Sequence, residues 1–332
     1  MKELIQKLCE ISGPSGYENN IREAIKKEVT PYADSIEVDP LGNLMVRKGK
    51  KTEGGLRILI SAHMDEIGVI VTHVEKTGFV RFGNLGAAFP WYLPASRVLF
   101  LNGTRGVINS EPREDNTKVS TIDQSYIDVG ASSPEDCPVK IGDVGVFERP
   151  FMDMGTRVAS KAMDNRSSCA VLIETLRQLK KSPHELVFLF SVQEEVGIRG
   201  AVTASYAIDP DLGIAVDVTS VGDTPSAKQM EVGLGKGAAI KIRDSGMLCD
   251  PRVVRWMRET AEKASIPHQM EILRQGSTDA YVIQTSRSGV PTGAISIPCR
   301  YVHSPSEVVD VKDLESSVQL LLKLIGGPVQ LK

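Results

Sequence analysis

The sequence predicts an α/β fold with a β-rich segment set into it, on three observations. The apolar run 186–190 reads as a strand buried on both faces, the type that fills parallel sheets. It leads directly into Ser191-Val192-Gln193-Glu194-Glu195-Val196-Gly197, so two adjacent carboxylates stand where a strand ends and a glycine turn begins. Helical stripes and short apolar runs lie on both sides of it, whereas 68–158 carries only short β-like pieces. Open α/β sheets place ligands at the carboxyl ends of their strands. A Glu-Glu pair there suffers mutual repulsion and a burial penalty, and a bound metal ion is the simplest source of compensating charge.

In chain order, Leu4, Ile5, Leu8 and Ile11 form the stripe of a first helix, ended by Gly13-Pro14-Ser15-Gly16. Ile21, Ile25 and Val29 mark the buried side of a second. Strands are expected at 35–38 and 44–47, joined through the turn Asp39-Pro40-Leu41-Gly42-Asn43. The strand 56–60 runs into Ser61-Ala62-His63-Met64-Asp65-Glu66-Ile67-Gly68. His63 and Asp65 face one way if strand geometry persists, so that one can ligate a metal while the other orients it or anchors the loop. Alone, His-x-Asp is a weak signal.

Pieces at 70–74, 79–82, 98–101, 106–109 and 142–147, separated by Gly, Pro and Asn, predict a small barrel-like β domain with an accessory or assembly role. Within it Trp91 and Tyr92 suit an interface or rim as well as a core, and the acidic segment 111–115 suits a solvated loop. Helical texture returns after Lys161-Ala162-Met163-Asp164-Asn165-Arg166, with Cys169, Leu172, Leu176 and Leu179. Asp164 at its approach fits a helix cap as well as a metal ligand. Asp217 sits inside the apolar strand 214–218 and needs a partner if buried. Segment 233–242 is glycine-rich, then extended, without a phosphate-binding spacing. Pro251 opens a helix carrying Val254, Met257 and Ala261, and Met270 and Ile272 mark a strand. Asp279, in Gly276-Ser277-Thr278-Asp279-Ala280, reads as loop support. A strand at 294–297 precedes Pro298-Cys299-Arg300-Tyr301-Val302-His303-Ser304-Pro305, and Val311, Leu314, Val318, Leu321 and Ile325 define the closing helix.

The 332 residues allow a large core and two domains. Lys and Arg total 39 against 42 Asp and Glu, so the charge of -3 offers no electrostatic reason for a nucleic-acid partner. Five scattered cysteines at 9, 137, 169, 249 and 299 form neither a disulfide framework nor a zinc spacing and read as buried free thiols of a reducing compartment. The amphipathic start and the lack of an apolar run of ~18 residues point to a cytoplasmic enzyme with no membrane partner.

The candidates then number five: His63, Asp164, Glu195, Asp217 and His303. Two imidazoles and three carboxylates suit two divalent ions such as zinc or cobalt, one carboxylate bridging. Glu194 is left beside the ligand Glu195, free to act as a base.

At these residues the chain resembles the dinuclear metal aminopeptidases that include tetrahedral aminopeptidases, bacterial glutamyl aminopeptidases and proteins described as CelM endoglucanases. The resemblance runs through Gly13-Pro14-Ser15-Gly16-Tyr17-Glu18, Ala62 to Gly68, Lys161 to Arg166, Gln193 to Ala201, the strand with Asp217, Gly222-Asp223-Thr224-Pro225, Ser277-Thr278-Asp279-Ala280 and Tyr301-Val302-His303-Ser304-Pro305. It implies a mixed-sheet α/β/α metallopeptidase catalytic domain made of 1–67 and 159–332, with 68–158 inserted as a β-rich oligomerisation domain. It also implies that His63, Asp164 and Asp217 hold one metal and Asp164, Glu195 and His303 the other, with Glu194 as general base and proton donor and Asp65 holding His63. Asn165 departs from the acidic residue common at that position. The expected reaction is removal of amino-terminal residues from short peptides with a free amino terminus, through a water activated by two metal ions per subunit. Homo-oligomers are expected, with dimers as the minimum and dodecamers built from them occurring in the family. Alternatives are an amidohydrolase or deacylase using the same site, a glycoside hydrolase, which needs no such histidine set, and a non-catalytic scaffold, against which Glu194 argues.

Overall fold

In the computed structural model, residues 1–112, 115, 118–227 and 229–331 are described. Helices α1 (Lys2–Glu10) and α2 (Asn19–Val29) precede the hairpin β1 (Ser35–Val38) and β2 (Leu44–Lys48), then β3 (Arg57–His63). Six strands follow without a long helix: β4 (Gly68–Val74), β5 (Val80–Leu85), β6 (Arg97–Phe100), β7 (Arg105–Ser110), β8 (Ser125–Asp128) and β9 (Val144–Phe147). After β10 (Met152–Met154) and β11 (Arg157–Ser160) come α3 (Met163–Gln178), β12 (Glu185–Ser191), α4 (Arg199–Ile208), β13 (Leu212–Thr219) and β14 (Ala238–Arg243). The chain closes with α5 (Pro251–Lys263), β15 (His268–Ile272), α6 (Asp279–Gln284), β16 (Thr292–Arg300), β17 (Glu307–Asp310) and α7 (Val311–Ile325).

Two sheets result. The larger runs β1-β2-β12-β3-β13-β16-β17-β11-β10, with β14 and β15 branching from β16. Its centre, β12, β3, β13 and β16, is parallel, flanked by antiparallel strands on both sides. These central strands are buried along almost their whole length, as strands covered by helices on both faces must be. The smaller sheet closes as a barrel, β4-β5-β8-β7-β6-β9, around its own cluster including Val69, Val80, Phe82, Phe100, Ile108, Ile127 and Phe147. The mixed α/β sheet with a small inserted β-barrel agrees with the sequence expectation.

The last three helices, α5, α6 and α7, start at side-chain caps. Asp250 accepts the Arg252 amide at 2.8 Å ahead of α5, whose first residue is Pro251. Asp310 accepts the Lys312 amide at 3.1 Å ahead of α7. Local differences from expectation have physical reasons. The face of α5 is carried by Val253, Trp256, Met257 and Ala261, leaving Val254 half-buried, because Val253 falls on the sheet side. Ile272 is exposed because β15 pairs only with β14 and is an edge strand. Strands β8, β11 and β17 are short and polar at their ends, and β10 is three exposed residues around Asp153, so none carries an apolar period. β10 and β11 belong to the large sheet, so the chain passes from the barrel strands to the large sheet between Phe147 and Met152. The acidic segment 111–115 lies partly outside the described residues. All five cysteines are free, and Cys9, Cys169, Cys249 and Cys299 are buried. Among the described residues no helix is long and apolar enough to cross a membrane.

Candidate metal centre

The four parallel strands end at one place. β3 finishes at His63, paired in register with Ser191 at the end of β12, so Glu194 and Glu195 fall just beyond. Asp217 sits near the end of β13, and β16 runs out toward His303. Backbones that side chains rarely adopt gather here: Gln193 has φ 55°, Ile198 57° and His303 61°.

His63, Asp164 and Asp217 form one cluster of ligand atoms, and Asp164, Glu195 and His303 a second; within each the atoms lie within 4.8 Å of one another. Asp164 is shared. Its Oδ1 is 3.1 Å from His63 Nε2 and its Oδ2 is 3.4 Å from His303 Nε2. Asp217 Oδ1 stands 3.7 Å from His63 Nε2, and Glu195 Oε2 stands 3.4 Å from His303 Nε2. Glu194 lies outside both clusters, with Oε2 3.9 Å from His63 Nε2. The capping alternative for Asp164 does not hold: α3 is preceded by Ala162, no side chain caps it, and Asp164 has non-helical angles within the first turn. Its carboxylate turns to the two imidazoles.

Asp65 lies beneath this group. Its Oδ1 is 3.4 Å from His63 Nδ1 and accepts the Glu194 amide at 3.0 Å; its Oδ2 accepts the Ser15 hydroxyl at 2.6 Å and the Glu195 amide at 3.2 Å. One carboxylate thus ties the His63 ring to the Glu-Glu turn. Several further positioning residues were not singled out by pattern. Glu307 accepts the amides of Asp164 at 2.9 Å and His303 at 2.8 Å, holding two elements at the shared corner. It opens a four-residue strand that also ends in an acid, Asp310, and it is buried. Glu18 accepts the Gln193 amide at 3.1 Å, and Asn43 accepts the Val192 amide and donates to the Gly200 carbonyl, each at 3.0 Å. Asp279 supports more than its loop: it accepts from the hydroxyls of Ser61 and Ser191, on β3 and β12.

The electrostatics call for added positive charge. Asp65, Asp164, Glu194, Glu195, Asp217, Asp279 and Glu307 crowd together with little or no exposure, and the ion pairs of the four nearest carboxylates are all with His63 or His303. Burial, then the charges of neighbours such as Asp217 and Glu195, lift Glu194 well above the ordinary carboxylate range. Burial and Asp164 push Glu195 up to about 7 against the pull of His303. Burial likewise raises Asp217 well above its usual value. Burial alone would lower both imidazoles, but the surrounding carboxylates hold His63 well above its ordinary value and raise His303 to about 10. Glu195 Oε1 is buried without a hydrogen-bond partner. Excess buried carboxylate, an unpartnered oxygen and a mixed nitrogen and oxygen donor set fit divalent ions of the borderline class.

The frame around the site depends on a buried ion pair. Glu66 accepts from Lys161 Nζ at 2.7 and 2.9 Å and from the Gly13 amide at 3.0 Å, with Arg166 Nη2 3.5 Å away. Glu66→Gln is expected to cost about 3–5 kcal/mol of stability by leaving buried cations underpaired, read by denaturant unfolding. The barrel also reaches the site. A Cβ on Gly86, whose φ is +80°, would lie 2.7 Å from Ile67 Cγ2 and 3.1 Å from both Cβ and Oε2 of Glu195. Gly86→Ala is therefore expected to displace Glu195 and cost about 1 kcal/mol or more of stability, with weaker metal retention in equilibrium dialysis.

Comparison with known proteins agrees with this geometry. The family model for M42 glutamyl aminopeptidase matches residues 42–320. The chain is 35% identical to lysyl aminopeptidase of Pyrococcus furiosus, over 97% of this chain and 96% of that protein. The solved aminopeptidase of Desulfurococcus kamchatkensis superposes with a TM-score of 0.94 at 37% identity, covering 98% of this chain and 94% of the other. The Pyrococcus horikoshii TET1 peptidase, whose structure is of a chain that can assemble into a tetrahedron or a large octahedral shell, gives 0.87 at 33% identity over 97% and 98% of the two chains. With its clustered ligand groups, the chain is thus a metal-dependent aminopeptidase and belongs to the M42 glutamyl aminopeptidase family.

Proposed function

We propose that the chain removes single residues from the free amino ends of short peptides, with Glu194 carrying the proton. The observation behind this reading is the division of labour at one turn. Glu195 belongs to a ligand cluster, whereas Glu194 stands at its edge, 3.9 Å from His63 Nε2. His63, Asp164 and Asp217 would hold one divalent ion and Asp164, Glu195 and His303 a second, zinc or cobalt by donor type. Bound there, such ions polarise a peptide carbonyl and acidify water. Glu194 takes the proton of the attacking water and delivers it to the leaving amine. Its burial and the like charges beside it suit a group that must hold a proton near neutrality. Asp65 keeps the Nδ1 side of His63 occupied, so that Nε2 faces Asp164 and Asp217. The acidic lining attracts the free α-amine of the substrate, which confines attack to the first peptide bond.

The test is a panel of peptides with free and blocked ends, assayed after metal removal and after return of zinc, cobalt or manganese. Stepwise release of single residues from free amino ends is expected, only in metal-loaded protein. Release solely from acylated ends would identify a deacylase, and release from the carboxyl end would overturn the reading. Homo-oligomers are part of this proposal, with dimers as the unit and dodecamers as the larger form. Support comes from the assembly of the Pyrococcus horikoshii relative and from the exposed Leu101, Val107, Val119 and Ile141 in the inserted segment. Sedimentation velocity reads the outcome, and a monomer at micromolar concentration would refute it.

A further inference from the structure

We infer that Phe89 and Trp91, carried by the barrel, form the wall that binds an apolar side chain of the second substrate residue, just beyond the bond that is cut. The two rings stack, with centroids 4.7 Å apart and planes within 9°. The Phe89 ring also stands 5.9 Å from the imidazole of His303. Phe89 lines the same cavity of about 510 Å³ as His63, Asp164, Glu194, Glu195 and His303. Phe89 thus belongs to the site although its loop joins two barrel strands, and Trp91 extends its surface by stacking on it.

The loop that carries these rings is built to hold them outward. Ala88 and Leu93 are buried in the barrel core, while Phe89 is 37% and Trp91 55% exposed. Asn84 donates to the Ala88 carbonyl at 3.0 Å, and Ser96 donates to the Tyr92 carbonyl at 2.8 Å. Pro90 and Pro94 restrict the backbone between. Gly86 seats the start of the loop against Glu195. Two stacked rings on a braced loop at a cavity mouth form an apolar surface for a side chain to cover.

The position along the substrate follows from depth, and it rests on the aminopeptidase reading. His63 and Asp217 are buried, at 1% and 6% exposure, whereas the aromatic wall borders solvent. An enzyme that removes only the first residue keeps that residue at the closed end. The remainder of the peptide must leave by the open side, so the second side chain passes the rings. The substrate class is therefore peptides with a bulky apolar or aromatic second residue.

The experiment uses metal-loaded, full-length protein and peptides that share one first residue and differ in the second, Phe or Gly. Phe89→Ala and Trp91→Ala are each expected to lower kcat/KM for the Phe peptide by about tenfold more than for the Gly peptide, mainly through KM. A second readout uses Trp256→Phe, which leaves Trp91 as the only tryptophan of the two. An uncleavable reduced-amide analogue with Phe in second place should shift Trp91 emission to the blue, and its Gly counterpart should not. Equal loss on both peptides, or Trp91 emission that responds to protein concentration but not to peptide, would each overturn the proposal. The last result would assign the rings to contact with a second copy of the chain. A parent enzyme that cleaved no peptide would count against the aminopeptidase reading, whereas an active parent with unmoved selectivity would overturn the aromatic wall alone.

Discussion

Glu194→Gln is expected to lower kcat by about 10²–10⁴-fold, with metal content and unfolding temperature close to those of the parent. The amide keeps the shape of the side chain and removes its capacity to accept and return a proton. Glu194 lies outside both ligand clusters, so its replacement leaves the donors at His63, Asp164, Asp217, Glu195 and His303 in place. The measurement pairs steady-state kinetics with elemental analysis of the same preparation. Full activity with both metals present would remove Glu194 from the chemistry. Loss of metal in step with loss of activity would instead make it a ligand.

Substitutions at Asp164 and Asp217 are expected to separate the shared corner from a single cluster. Asp164→Ala should abolish tight loading at both clusters, because its two oxygens face different imidazoles. Asp217→Asn should impair one cluster only. A bound ion at a hundredfold excess over its Kd contributes about 2.7 kcal/mol to stability, so metal should raise the unfolding temperature of the parent and fail to do so for Asp164→Ala. The metal-free proteins should show a different order. Burial, aided by the charges of Asp164 and Asp279 and opposed by His63, raises the folded pKa of Asp217. Its ionisation therefore costs stability as pH rises from the unfolded value through the folded one, and the cost is absent at acid pH. A neutral Asn avoids it. Metal-free Asp217→Asn should thus be more stable than the metal-free parent at pH 7, with the difference closing toward pH 4. Differential scanning calorimetry across that range checks the sign. A variant less stable than the parent at both ends would show that Asp217 stabilises the fold without metal.

Much of the fold was legible because its signals are local. The run 186–190 and the stripes of Leu4, Ile5 and Leu8 and of Leu314, Val318 and Leu321 follow the periods of strand and helix, and all are buried. The short strands that bring the chain back from the barrel were not legible. Met152–Met154 is exposed throughout, and Glu307–Asp310 begins and ends with acids. Glu307–Asp310 pairs with Arg157–Ser160 from far along the chain, and Met152–Met154, although it pairs locally, buries no face that a pattern could mark. The same limit applied at the site. His63, Asp65, Glu194, Glu195 and His303 could be named because they follow apolar strands, Asp217 because it interrupts one, and Asp164 because it stands at the approach to a helix. Glu18, Asn43 and Glu307 escaped, since a side chain that serves backbone amides of another element has no local signature.

The sequence by itself determined the α/β class, the barrel-like insertion and the set of histidines and carboxylates that call for metal, because periodicity and residue chemistry are properties of neighbours in the chain. Only the tertiary structure decided that Asp164 faces both histidines and caps nothing, that Glu307 and Asp65 brace the corner, and that the aromatic loop of the barrel borders the catalytic cavity. Most of those facts depend on distances between segments 50 to 143 residues apart, which register and packing set and composition does not.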